Sequence, residues 1–240
     1  MDFGFLSKYA SYFIDGTKVT IGLSIVTLIL GFILGVLICL CKISKSKILR
    51  FVSSIYIEFL RGTPLMIQLF IVHFGFPQLG IKLPTIGSIP VEFVSGVVAI
   101  SINSSAYIAE ILRSGIQSID KGQMEASRSL GFNYAMSMRY IIIPQGLKNS
   151  LPSLANEFIS LIKESAIVSV IGIQDLMYSS DIVRGVTFLA FEPLIVTAAI
   201  YFILTFTLSR IVSLYEAKLQ NKSIKLNSSG KELAKETNLA

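Results

Sequence analysis

The stretch VTIGLSIVTLILGFILGVLICLC, Val19 to Cys41, contains no charged side chain. Crossing a hydrocarbon core takes roughly 20 mostly apolar residues in a helix, so this segment alone predicts a membrane span. A cleavable signal peptide is shorter, carries a basic leader and ends in small residues, and the stretch has none of these features. Gly31 and Gly35 within it form a GxxxG pair, a spacing that lets a second helix approach closely. The rest of the chain agrees. Of its 240 residues 52% are hydrophobic and only 15% are charged, and there is no Trp. A soluble domain carries about 25% charge, so this chain lacks the residues to cover a water-exposed surface.

Four further apolar segments follow, giving five expected transmembrane helices at about 19–41, 51–76, 92–113, 151–171 and 193–214. The expected organisation is an outer amphipathic segment 1–18, a transmembrane domain 19–215 with a connecting loop at 120–144, and a polar tail 216–240. Residues 1–18 mix aromatics with Asp2, Lys8, Asp15 and Lys18, the composition of a helix lying in the interface plane. No internal repeat is evident, so a transport pathway with two halves needs two chains.

The net charge of +6 has a topological explanation and calls for no nucleic-acid partner. One side collects Lys42, Lys45, Lys47 and Arg50, then Arg113, Lys121, Arg128, Arg139 and Lys148, then Arg210 and the lysines of the tail. The other holds only Lys8, Lys18, Lys82 and Arg184. Basic residues stay on the cytoplasmic side, so the N-terminus is expected outside and the C-terminus inside. Cys39 and Cys41 have no spacing for a disulfide framework or a CxxC site, and His73 is the single histidine. No metal site and no catalytic constellation is expected.

The loop 120–144 carries its own folding signals. Asp120 is placed to cap a helix through Gln123–Leu130, and Gly131 stands at the position that ends it in a left-handed turn. Asn133 is placed to cap a second helix, Tyr134–Ile143, and Pro144 and Pro152 are expected to break the chain before the fourth span. The result is a helix–Gly–helix hairpin whose Tyr134, Met136 and Met138 offer an apolar knob to a soluble partner.

Polar residues inside the spans need reasons, because a charge at the bilayer centre costs about 2.5–3.5 kcal/mol on insertion scales. Asn103, Tyr107 and Glu110 repeat at helical spacing on the third span. Asn156, Ser160 and Lys163, with Glu157 and Glu164 on the adjoining stripe, do the same on the fourth. On the second, Arg61, Thr63 and Gln68 surround Gly62 and Pro64, which predicts a broken helix. Transport sites sit where broken helices meet inward polar groups. The candidate substrate-binding residues are Gln68, Asn103, Ser104, Tyr107, Glu157, Ser160 and Glu164. The bland alternative is structural: Glu58–Arg61 and Glu110–Arg113 have ion-pair spacing, Lys163 can pair with Glu164, and His73 is read as interfacial. The embedded acids outnumber the embedded bases, which favours a cationic substrate.

Glu125-Ala126-Ser127-Arg128-Ser129-Leu130-Gly131, followed by Ile141-Ile142-Ile143-Pro144, resembles the EAA loop of bacterial ABC-importer permeases. Ser127 replaces the second Ala, and Ile143 stands where Leu is usual. Glu58–Leu65, Asn103–Glu110, Gly115–Ile119, Asn156–Ile159 and Lys163–Ala166 resemble the polar amino-acid subfamily, with Met124 where Trp is common and Leu60 where Phe is common. The resemblance covers roughly residues 15–220. It implies an all-α integral membrane protein of the type I ABC-importer fold. It also implies a second permease chain, in a homo- or heterodimer, two ABC ATPase subunits and an extracytoplasmic amino-acid-binding protein in the bacterial cell membrane. Glu125, Ala126, Gly131, Tyr134, Met138 and Pro144 would then couple to the ATPase. No GxxxxGK[ST] phosphate loop is present, so ATP and Mg would be bound by the partner subunit and this chain would carry no cofactor. The alternative is a homo-oligomeric channel for small solutes or ions, which would not need the hairpin.

Overall fold

The computed structural model describes residues 3–84 and 87–237, and side chains as far as Leu214. All regular structure in it is helical. Helix α1, Leu6–Ile43, is followed by α2, Lys47–Gly62, and α3, Leu65–Phe70, which a π turn over Ile71–Gly75 extends to Gln78. Helix α4 is Val91–Gln117, α5 is Lys121–Ser129, and α6 is Tyr134–Ser137. A π turn over Met138–Ile142 leads from α6 into α7, Ile143–Glu164, which tightens into a 3₁₀ stretch at Ser165–Ile171. Helices α8, Leu176–Thr187, and α9, Glu192–Thr237, complete the chain.

Several expected boundaries differ. Helix α1 runs unbroken from Leu6, so nothing in the backbone separates a segment 1–18 from the first span. Phe5 and Phe13 instead pack on Leu176 and Val183 of α8. Pro144 does not break the chain either. It lies in the first turn of α7, where a missing N–H costs no helical bond, and Pro152 is carried inside that helix on an exposed face. The expected tail 216–240 lies outside the described side chains.

Among the described residues three helices are long and apolar enough to cross a membrane: Leu6–Ile43, Val91–Gln117 and Glu192–Leu214. The bent pair α2–α3 adds a fourth if taken as one span. Helix α7 covers the remaining expected span, the fourth in chain order. Lys148, Asn149, Asn156, Glu157, Lys163 and Glu164 keep it below that apolarity, and a segment so polar needs protein or water, not lipid, along one side.

The bundle is organised around α4, which α1 crosses closely. A Cβ on Gly31 would stand 3.3 Å from the Ser104 side chain, and one on Gly35 would stand 2.8 Å from Ile108 Cβ and 3.0 Å from the Ser105 carbonyl. The GxxxG pair is therefore used, with Ser101, Ser104 and Ser105 as the small residues opposite. Apolar burial fills the layers above and below. Leu23, Leu69, Ile100, Leu161 and Val168 form one cluster. Cys39, Ile57, Leu60, Ile108 and Leu112 form another, nearer the hairpin. At the hairpin end α4 meets α7 with backbone in contact: a Cβ on Gly115 would fall 2.0 Å from Ser150 Oγ and 2.6 Å from the Gly146 carbonyl.

At the opposite end Asp175, fully buried, caps α8 by accepting from the Tyr178 amide at 2.8 Å. Thr20 Oγ1 accepts the Leu176 amide at 3.1 Å. The Tyr201 hydroxyl approaches Asp175 Oδ2 at 3.5 Å. Helices α1, α8 and α9 are thus tied at one buried carboxyl. Burial pushes the Asp175 pKa up to about 6, against the backbone amides that favour the charged form.

Candidate functional site

The site begins with a proline. Pro64 has no N–H, so the Leu60 carbonyl, four residues back, loses its helical donor. The chain turns through 107° there, and the freed acceptors at this depth must be satisfied by protein. Two side-chain amides do this. Gln68 Nε2 donates to the Leu60 carbonyl at 2.8 Å, with the Thr63 carbonyl at 3.1 Å and Thr63 Oγ1 at 2.8 Å also in reach. Asn103 Nδ2, from α4, is 3.3 Å from the Leu60 carbonyl and donates to Gln68 Oε1 at 2.9 Å. Thr63 Oγ1 in turn donates to the Phe59 carbonyl at 2.8 Å. The break is a built feature, held by a buried amide pair.

Beside it lies a cavity of about 330 Å³ lined by Thr63, Leu65, Asn103, Tyr107, Lys163, Glu164 and Ile167. Its volume is at the lower end of the range for small-molecule sites, ~300–1,000 Å³. A carboxylate, an ammonium, an amide and a phenol converge on an apolar floor, which suits a small zwitterion with a polar side chain.

Of the expected substrate residues, Asn103, Tyr107 and Glu164 line this cavity. Gln68 does not. It is buried, and its amide is occupied by the helix break. Ser104 donates to Glu157 Oε1 at 3.2 Å, pairing α4 with α7 beside the cavity. Ser160 is half-buried on the same helix and outside the lining. The structure adds Thr63, Lys163, Leu65 and Ile167. Lys163 carries the clearest sequence signal of the four, a lysine one residue from Glu164 on a stripe with Asn156 and Ser160. Lys163 and Glu164 form no direct ion pair among the described residues.

The two i, i+3 pairs diverge. Glu110 and Arg113 pair through both carboxylate oxygens, one of them accepting from Arg113 Nε at 2.9 Å. Arg61 forms no ion pair with Glu58. Its guanidinium lies over the Tyr107 ring, 5.2 Å from the centroid, because the break at Pro64 turns the end of α2 toward α4. His73 Nδ1 is 2.8 Å from Ser95 Oγ and its ring meets Phe74 edge-on.

The loop after α4 folds as its caps direct. Asp120 Oδ1 accepts from the Gly122 amide at 2.7 Å, and Asn133 Oδ1 from the Met136 amide at 2.9 Å. Gly131 takes φ +89°, a left-handed conformation that costs a side chain roughly 1–2 kcal/mol. The two helices lock through Ser127 and Ser137, whose buried Oγ atoms are 2.7 Å apart. Tyr134 and Met136 are exposed, while Met138 is half-buried. Leu130, absent from the expected knob, is the most open apolar residue of the hairpin at 80% exposure. Its signal was its position immediately before the turn glycine. Lys45, from the α1–α2 connection, sits over the Tyr134 ring at 4.9 Å, so the hairpin contacts a second loop.

A helical bundle with long apolar helices, a broken helix stitched by buried amides and a capped hairpin defines a multi-pass membrane transport subunit. Residues 27–221 match the family described as the binding-protein-dependent transport system inner membrane component, and the chain belongs to that family. Among its relatives is the arginine transport system permease protein ArtQ of Bacillus subtilis, 40% identical over 92% of this chain and 98% of that protein. A protein of Rickettsia bellii that carries the name glutamine transport system permease protein GlnP is 42% identical over 90% of this chain and 98% of its own. A crystal structure of an amino acid ABC transporter with histidines superposes with TM-score 0.84 and 49% identity, over 91% of this chain and 99% of that one. The MetNI methionine ABC transporter shares the fold, with TM-score 0.65 at 20% identity. The chain is an ABC-transporter permease of the type I importer fold.

Proposed function

We propose that this chain is the membrane-spanning subunit of an ATP-driven importer that carries polar amino acids, cationic ones among them, into the cell by alternating access. The observation that carries this reading is the cavity at the Pro64 break, where Asn103, Tyr107, Lys163 and Glu164 meet. Lys163 takes the α-carboxylate and Glu164 the α-ammonium or a cationic side chain, while Asn103 and Tyr107 orient the molecule. Ser104, Glu157 and Ser160 supply the polar wall beside it. Relatives named for arginine and for glutamine transport support a substrate of that class.

The hairpin faces the cytoplasm and the N-terminus the outside, a reading that the basic residues around the hairpin support. It inserts Leu130, Tyr134 and Met136 into a groove on the ATPase. Glu125 and Ala126 position its first helix, Gly131 its turn, and Met138 and Pro144 its junction with α7. The working unit is two permease chains, two ATPase subunits that hold ATP and Mg, and an external binding protein. This chain makes and breaks no covalent bond.

The test is to purify the chain from its native membrane, reconstitute the complex in liposomes and measure ATP-dependent uptake. Unlabelled arginine, lysine, histidine, glutamine, glutamate and leucine serve as competitors. Co-purification of an ATPase subunit in near-equal amount, with competition by the cationic and amide amino acids, supports the reading. A bare oligomer that conducts without ATP overturns it in favour of a channel. Competition by leucine or glutamate alone overturns the assignment of Glu164.

A further inference from the structure

A second cavity, also about 330 Å³, lies between α4 and α7 on the hairpin side of the first. Arg61, Glu110, Ser114, Ser118, Asn149 and Ser153 line it. None of the expected site residues is among them. The two cavities share a wall: Arg61 lines the hairpin-side one and stacks on Tyr107, which lines the other.

We propose that this hairpin-side cavity is a second binding site for an α-amino acid, occupied on release, with Arg61 as its carboxylate anchor. The inference rests on the transport reading above. One cationic side chain, Arg61, lines the cavity, and a second, Arg113, stands behind its Glu110 wall. Arg113 is committed to both oxygens of Glu110, whereas Arg61 makes no direct ion pair among the described residues; it lies on the Tyr107 ring and feels Glu110 and Glu157 only through space. A guanidinium on a ring exchanges readily for a bidentate carboxylate, because the planar fork then makes two charge-assisted hydrogen bonds. The opposite wall supplies acceptors for an ammonium. Ser114 and Ser153 have no hydrogen-bond partner among the described residues. Asn149 uses its Nδ2 on Ser118 Oγ at 2.9 Å, which leaves its carbonyl oxygen unspent.

The floor is rigid. Gly115, Gly146 and Ser150 bring the α4 and α7 backbones into contact, and Ser150 Oγ donates to the Gly146 carbonyl at 2.9 Å. An amino acid leaving the first cavity therefore meets polar side chains, Arg61, Ser114, Asn149 and Ser153, set at an open mouth over a close-packed floor. Arg61 is the element that moves: on the ring it separates the two sites, and swung onto a carboxylate it joins them.

The experiment uses the complete transporter, purified in detergent, with Cys41→Ser as background; Cys39 is buried. Ser153→Cys reports the hairpin-side cavity and Leu65→Cys the cavity at the helix break. Each is labelled with a hydrophilic maleimide in the presence of glutamine, arginine or histidine. The expected result is that at least one of these amino acids protects both cysteines. Arg61→Gln should then raise the concentration that half-protects Ser153→Cys about tenfold, the loss of one charge-assisted contact, and move that for Leu65→Cys less than about twofold. Ser114→Val, which leaves every charge in place, should raise the Ser153→Cys value by roughly fivefold.

Protection of Leu65→Cys without Ser153→Cys overturns the second site and leaves the transport reading intact. Protection of Ser153→Cys alone keeps the second site and removes the first. A Ser153→Cys that is never labelled means that the other permease chain seals the cavity, and overturns the proposal. Protection of neither cysteine overturns both sites.

Discussion

Helix α4 presents two unlike faces. Toward α1 it is closed: Ser101, Ser104, Ser105 and Ile108 meet the Gly31–Gly35 stripe so tightly that a Cβ on Gly35 has no room. Toward the end of α2 and toward α7 it is open, and Asn103, Tyr107, Glu110 and Ser114 border two cavities. The residues alternate between these faces within a single turn, Asn103 beside Ser104. What separates them is the neighbour. A straight helix bearing glycines packs flush, whereas a proline-broken helix and a helix carrying Lys163 and Glu164 do not. Packed regions of this molecule set its shape, and open regions carry what it binds.

That contrast breaks if substitutions in packed regions alter transport without altering stability, or the reverse. The largest expected effect is on the packed side. Gly115→Val puts side-chain atoms into Ser150 and the Gly146 carbonyl, and overpacking of this kind costs up to about 3 kcal/mol. The purified chain should lose its monodisperse elution and melt at lower temperature. Gly22→Ala, where a Cβ meets nothing within 4 Å, should stay within about 0.5 kcal/mol.

The hairpin tip is the open counterpart. Gly131→Pro replaces φ +89° with a residue fixed near −65°, and Glu125→Lys reverses a charge on the exposed face of α5. Uptake by the reconstituted complex should fall at least tenfold, equivalent to about 1.4 kcal/mol, while the melting temperature of the membrane domain holds. Retained ATP-driven uptake in both variants would remove the hairpin from the coupling surface.

Asp175 sharpens the comparison, because it is a titratable group inside a packed region. Its folded-state pKa, about 6, lies above the ordinary aspartate value because the carboxyl is buried. The folded state therefore binds the proton more tightly, and stability rises as pH falls through 6 and is lost as pH rises. Between pH 7 and pH 5 the gain should be roughly 1 kcal/mol. Asp175→Asn, which keeps an oxygen for the Tyr178 amide, should flatten that dependence in a thermal-melt series, with Asp181 and Tyr201 left as the neighbouring ionisable groups. A variant that keeps the full slope would place the titration elsewhere.

The smallest effect is expected at Ser127→Ala. It removes the contact with Ser137 but leaves the Ser137 hydroxyl its bond to the Asn133 carbonyl at 3.1 Å. The cost should be about 0.5–1 kcal/mol, seen as faster amide exchange in α5 with uptake reduced less than twofold.

The parts of the molecule that were legible beforehand are those with local causes. Asp120, Gly131 and Asn133 act on backbone groups two or three residues away, so the hairpin followed from their spacing. Val19–Cys41 and the Gly31–Gly35 pair likewise carry their meaning in their own composition. Gln68 had two readings for a physical reason: a polar residue near a proline break can bind a substrate or repair the break. Only the tertiary structure, with Asn103 arriving from α4, puts the Gln68 amide on the Leu60 carbonyl. The expected Glu58–Arg61 pair is absent on the same ground, since helical spacing assumes a neighbour no better than the one three residues away, and Tyr107 was better.

The sequence by itself determined that this chain is an all-helical membrane protein with a capped hairpin, because those features rest on apolar length, caps and glycines read within a few residues; that it is a permease came from the likeness of its motifs to that family. The tertiary structure alone decided which polar side chains share a cavity. Partners there come from helices some forty to a hundred residues apart, and the 107° turn at Thr63–Pro64 brings Arg61 onto Tyr107 and leaves Lys163 and Glu164 facing Asn103.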